Sequence, residues 1–140
     1  MKGPRQLGSY VAAALLTAIT LATFAVFKDY GPESAVRRFH RAVARIDVAE
    51  LERVSLQGVD SQATQLLANR LREFGSEGAT FEIVGIRRFP NGRYAAAAVE
   101  YHLANGMTDG AVWFVYRKAS QWQVDTQKTN AAWANPMPWG

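Results

Sequence analysis

Gln6–Phe27 is a run of 22 residues without a charge, and nothing else in the sequence restricts the fold as strongly. As a helix it is about 33 Å long at roughly 1.5 Å per residue. A bilayer hydrocarbon core is about 30 Å thick, so the run can span it. An apolar helix of this length has no polar face to turn to water, which disfavours a place in a soluble core. Tyr10 and Tyr30 bracket it, where interfacial aromatics are favoured. Lys2 and Arg5 precede the run, whereas Lys28, Asp29 and Glu33 follow it with mixed sign. That asymmetry predicts a cytoplasmic N-terminus over 1–6, a transmembrane helix over 7–27 and a linker over 28–31. The remainder is then expected outside, periplasmic or extracellular, on a single-pass protein of the cell membrane. A cleaved signal peptide would begin similarly and leave a secreted domain. Thr23-Phe24-Ala25 is a small-x-small site, although Phe24, Phe27 and Tyr30 crowd it.

Ala14, Ala18 and Ala22 recur every four residues, and Gly8 and Ala12 extend the row. Small residues at that spacing let a second transmembrane helix approach closely. An alanine-rich span facing lipid has the same spacing.

The chain has 140 residues, which is room for one outer domain. It has no cysteine, so disulfides, thiolate metal sites and a cysteine nucleophile are excluded. From Lys28 onward 14 basic residues face 12 acidic ones. A balance so near neutral predicts no nucleic-acid partner.

Beyond the linker, Pro32 and Glu33 suit a helix start. Val36, Phe39, Val43 and Ile46 then form one apolar face. Arg37, Arg41 and Arg45 recur on another face, with Arg38 beside them. Asp47 is placed to cap a short second helix, with Glu50 three residues on. A third helix is expected over about 61–74, capped by Asp60 and ended by Gly75–Gly78. The pattern then changes to strands: 80–89 with Gly85 as a bulge, 94–103, 111–117 and 122–128. Phe89-Pro90-Asn91-Gly92 is turn chemistry. Strands this close in sequence pair antiparallel. The fold class is therefore α+β. It is an N-terminal transmembrane helix, then about three helices on a curved, mainly antiparallel sheet of about four strands. The expected core is Phe39, Val43, Leu67, Leu71, Val99, Tyr101, Phe114 and Trp122.

Three segments carry a family likeness: Pro32-Glu33-Ser34-Ala35-Val36-Arg37-Arg38-Phe39, the helix opening at Asp47, and the hairpin from Trp113-Phe114-Val115-Tyr116-Arg117 to Trp122-Gln123-Val124-Asp125. Over residues 32–129 this resembles the nuclear-transport-factor-2-like superfamily, or cystatin-like cone. The resemblance implies a sheet curved around helices with a conical cleft. It assigns no activity, because the superfamily includes enzymes, ligand binders and assembly modules.

Glu100 and His102 share a strand face and are the weak catalytic candidates, since a carboxylate can fix a histidine tautomer. They also sit on the polar side of an alternating strand, which favours solvent. His40, beside the arginine stripe, reads as a solvated or rim histidine. Two histidines without clustered carboxylates make no metal site. There is no phosphate loop and no nucleophile elbow, so no cofactor is expected. The stripe Arg37, Arg41 and Arg45 lies close to the membrane exit, where headgroups or an acidic partner could meet it. The uncharged tail 130–140 offers Trp133 and Trp139 as interface anchors, with Pro136 and Pro138 barring regular structure. These features lead to an accessory or assembly subunit of a membrane or envelope complex, acting by protein–protein contacts without catalysis. Partners would be other membrane subunits or further copies of the chain. Bitopic subunits of type IV secretion systems have a similar layout. The alternative is a membrane-tethered small-ligand binder, or a lyase- or isomerase-like domain, using the cone cleft.

Overall fold

A computed structural model describes residues 31–134. Three helices come first: α1 (Pro32–Arg45), α2 (Val48–Val54) and α3 (Gln62–Ser76). Four strands follow: β1 (Thr80–Arg88), β2 (Tyr94–His102), β3 (Thr108–Lys118) and β4 (Gln121–Val124). A fourth helix, α4 (Thr126–Ala134), closes the described chain. The strands form one open antiparallel sheet in the order β1-β2-β3-β4. Among these residues no helix is long and apolar enough to cross a membrane. Gln6–Phe27, its expected topology and the row Ala14, Ala18, Ala22 lie outside the described residues.

Helix α1 starts on Pro32 and buries Ala35, Val36, Phe39, Ala42 and Val43. It ends in a left-handed turn at Ile46, with φ 54° and ψ 43°. There the Ile46 N–H bonds the Val43 carbonyl and the Asp47 N–H bonds that of Ala42. Glycine normally fills this position, because a Cβ collides there with the following carbonyl. Asp47 caps α2 by accepting from the Glu50 N–H at 3.1 Å. Glu50 does not complete a reciprocal box; it pairs with Arg38 at 2.8 Å and Arg53 at 2.9 Å.

Two expectations for α3 change. Its N-cap is Ser61 rather than Asp60, and the helix runs through Gly75 to end before Gly78, whose φ of 75° requires the left-handed region. The register of β1 on β2 slips between Ile83 and Gly85, so the expected bulge is present. The Phe89–Gly92 turn holds because the Asn91 side chain accepts from the Arg93 and Tyr94 N–H groups.

On β2, Ala95, Ala97, Val99 and Tyr101 are buried, matching the alternation in the sequence. On β3 the phase is the reverse of the expected one. Trp113 and Val115 are buried, while Phe114 is half-buried on the opposite side. The cause is register: Trp113 sits opposite Ala97 on the buried face of β2, while Phe114 sits opposite Ala96 on the other face. The remaining expected core residues, Phe39, Val43, Leu67, Leu71, Val99, Tyr101 and Trp122, are buried together.

The largest departure is at the C-terminal end. The fourth strand stops at Val124, and the boundary expected at 129 falls inside α4. Asp125 starts this helix by accepting from the Lys128 N–H at 3.1 Å and from Gln57 Nε2 at 2.8 Å. Thr126 bonds Thr64 of α3 at 3.0 Å, and Thr129 Oγ1 accepts from the Phe114 N–H. Asn130 Nδ2 donates to the Ala63 carbonyl. These polar links dock a helix whose own apolar periodicity is weak, which hid it from a pattern-based reading.

Candidate functional site

The interior of the domain is aromatic. Trp113 Nε1–H donates to the Tyr101 hydroxyl at 2.9 Å. The Tyr101 O–H lies 2.8 Å from His40 Nε2, and His40 Nδ1 lies 2.7 Å from the Val36 carbonyl. A carbonyl only accepts, which assigns the proton to Nδ1 and leaves Nε2 to accept from tyrosine. The chain of bonds is satisfied only with a neutral imidazole. Burial accordingly lowers the His40 pKa from 6.5 to about 4, opposed in part by the bond to Val36. Burial also pushes the Tyr101 hydroxyl upward, so it stays protonated.

His40 is thus a core residue rather than the rim histidine expected. The signal was present, because it shares the apolar spacing of Val36, Phe39 and Val43 on α1. Phe81 stacks on its ring at 4.0 Å, and Trp113 lies at 4.6 Å. Tyr101 stacks with Phe74 at 4.9 Å and with Trp133 at 5.4 Å. Trp133 also carries Arg70 over its ring at 4.8 Å. Expected as an outward anchor, Trp133 is half-buried and turned against Phe74 and Tyr101. Trp139 lies outside the described residues.

A cleft of about 500 Å³ lies open between the ends of α1 and α3 and the start of β1. Val43, Ile46, Leu71, Phe74 and Phe81 line it, with His40 and Tyr101 at its floor and Arg72 at its edge. Its walls are mostly apolar, and its two polar floor groups already bond each other. It can hold an apolar group, and it presents no ionised base or nucleophile to one.

Glu100 and His102 lie away from this cleft, on the opposite face of β2 from Val99 and Tyr101. The structure brings them together with a third residue that sequence reasoning missed. Glu82 of β1 is the direct cross-strand partner of Glu100. His102 Nε2 stands 3.5 Å from Glu82 and 3.8 Å from Glu100. The three offer ligand atoms within 4.8 Å of one another, so clustered carboxylates do exist here, contrary to expectation. Both glutamates are exposed and the histidine is half-exposed. Water competes for such groups, and among the described residues no further side chain bonds them into place.

Arg37, Arg41 and Arg45 have no carboxylate within ion-pair distance among the described residues; Glu50 takes Arg38 and Arg53 instead. The stripe is therefore a surface of free charge, with Arg41 and Arg45 exposed and Arg37 half-buried.

No family model matches the chain, and no curated protein does. Among solved structures it is similar to a protein of unknown function with a cystatin-like fold from Methylobium petroleophilum PM1. That match has 12% identity and a TM-score of 0.46, covering 66% of this chain and 73% of the other. It is also similar to the intermembrane space region of the chloroplast protein ARC6, at 13% identity and a TM-score of 0.39. That second match covers 66% of this chain and 88% of the other. At these scores the likeness carries no functional argument. The α+β architecture rests on the elements described above.

Proposed function

We propose that this chain is a single-pass membrane-anchored protein whose outer domain, a member of the cystatin-like cone superfamily, works by binding other proteins. In this reading it is an accessory or assembly subunit of a membrane complex, without catalysis. One observation carries most weight. The interior beneath the sheet is packed with Phe39, Leu67, Tyr101 and Trp113, the cleft beside it is lined mostly by apolar side chains, and Glu100 and His102 face the other way. The uncharged run Gln6–Phe27 supports the anchor.

The test is extraction of the tagged full chain in mild detergent, followed by identification of what co-purifies. Ala18→Leu should reduce recovery of the partner by bulking the small-residue row. Glu100→Gln and His102→Ala should leave it unchanged. A truncation must stop after Ala134, because removing residues from 130 onward would take away half of α4. Recovery of a lone monomer, together with a turnover lost in Glu100→Gln, would overturn the reading.

The apolar cleft supports a second reading, a tethered binder of a small apolar ligand. Its lining by Phe74, Phe81 and Leu71 favours it. Titration with an apolar fluorescent probe, competed by Phe81→Arg, separates the two.

A further inference from the structure

We infer that the α1–α2 corner and the arginine stripe form one surface that docks on the anionic headgroups of the membrane holding the chain. The inference rests on the anchored reading above and adds an orientation of the domain to it. Residues 44–49 are all exposed, so the corner projects from the body. At its tip Ile46 is 75% exposed and Val48 60%, the first and third most exposed of the large hydrophobics. Ile46 also occupies the left-handed position where a β-branched residue is a genuine outlier. An isoleucine kept in a disfavoured conformation and turned to water contributes little to the fold, and strained positions of this kind cluster at functional sites.

Charge selects the kind of surface it meets. Arg37, Arg41 and Arg45 stand one turn apart on the helix that ends at this tip, and no described acid pairs with them. Of the acids beside the corner, Glu50 is held between Arg38 and Arg53, and Asp47 caps α2 while keeping its charge, which leaves the arginines in excess. Free arginines beside protruding aliphatic side chains suit an interface with phosphate headgroups outside and acyl chains beneath. Reach allows it. Only residues 28–31 separate the uncharged run from α1, at most about 14 Å of chain. A helix of 14 residues, about 21 Å long, can therefore lie along the bilayer with both ends near it.

The absence of native cysteine makes the test direct. Full-length Ile46→Cys and, separately, Val48→Cys are labelled with an environment-sensitive fluorophore. Each is reconstituted into vesicles of phosphatidylcholine alone or of phosphatidylcholine with phosphatidylglycerol. Emission from both sites should shift to the blue in the anionic vesicles only. About 1 M salt, where screening acts over roughly 3 Å, should reverse the shift. Adding Arg41→Gln and Arg45→Gln should remove most of it. Failure of the protein to float with vesicles overturns the anchor and this inference together. Flotation with water-like emission from both probes overturns the inference alone. So does an equal shift in neutral lipid, or a shift in detergent that grows with protein concentration, which assigns the corner to a second copy. A shift that needs an added acidic protein rather than acidic lipid assigns it to a protein partner.

Discussion

Strands β1 and β3 both pair along the length of β2, and both are rich in apolar residues, yet only one is buried. On β3, Ala111, Trp113 and Val115 are buried at 8% exposure or less. On β1, Phe81, Val84 and Ile86 stay 38–50% exposed and only Ile83 is half-buried. Pairing with β2 does not separate them, although β1 is an edge strand with a bulge and β3 also pairs with β4. Cover does. Helices α1 and α4 pack on β3, whereas α1 barely reaches β1. A strand's composition thus states what it could bury, and the helices above it decide what it does bury.

The largest test of that contrast is truncation on each side. Trp113→Ala, beneath α1 and α4, should cost about 3–5 kcal/mol in urea unfolding. Phe81→Ala on the less covered strand should cost less than that, because Phe81 stacks on His40 at 4.0 Å but stays 38% exposed. Equal losses would break the comparison.

Next comes pH. His40 is neutral in the fold and titrates at about 4, against 6.5 when unfolded. Between those values the unfolded chain binds the extra proton. The stability is whole above about pH 6.5 and falls as the solution is acidified towards pH 4, by about 3 kcal/mol in all. His40→Gln should flatten that part of the pH profile of the urea midpoint.

Asp125→Ala removes the α4 cap and the bond to Gln57 together, and should cost about 1–2 kcal/mol. Near-ultraviolet circular dichroism should weaken as Trp133 loosens from Tyr101. The smallest effect has the opposite sign. Ile46→Gly should stabilise the domain by about 0.5–1 kcal/mol, because glycine accepts the left-handed turn without the Cβ clash. A loss on that substitution would show that Ile46 supports the fold from inside the cleft rather than standing apart from it.

Much of this was legible in the order of residues, for reasons that are local. The α1 start at Pro32, the Asp47 cap, the Asn91-Gly92 turn, the bulge at Gly85 and the alternation of β2 each depend on neighbours within a few positions. The bland reading of Glu100 and His102 followed from that same alternation. Three features needed partners from far along the chain. The burial of Trp113 in place of Phe114 was set by the register that opposes it to Ala97. Glu82 joined Glu100 only through the pairing of β1 with β2. Helix α4 is held by Thr64, Gln57 and Ala63, all some 60 residues or more away, and its own sequence carries little apolar periodicity.

The sequence by itself determined the order and type of most elements and the antiparallel meander, because backbone preference, capping and side-chain period act over short range. It also determined the long uncharged stretch before them. The tertiary structure alone decided which faces are covered, why His40 is neutral, where Trp133 turns, and which arginines are left without an acid. Those outcomes depend on what a second element brings within a few ångströms, and desolvation and pairing act only at that distance.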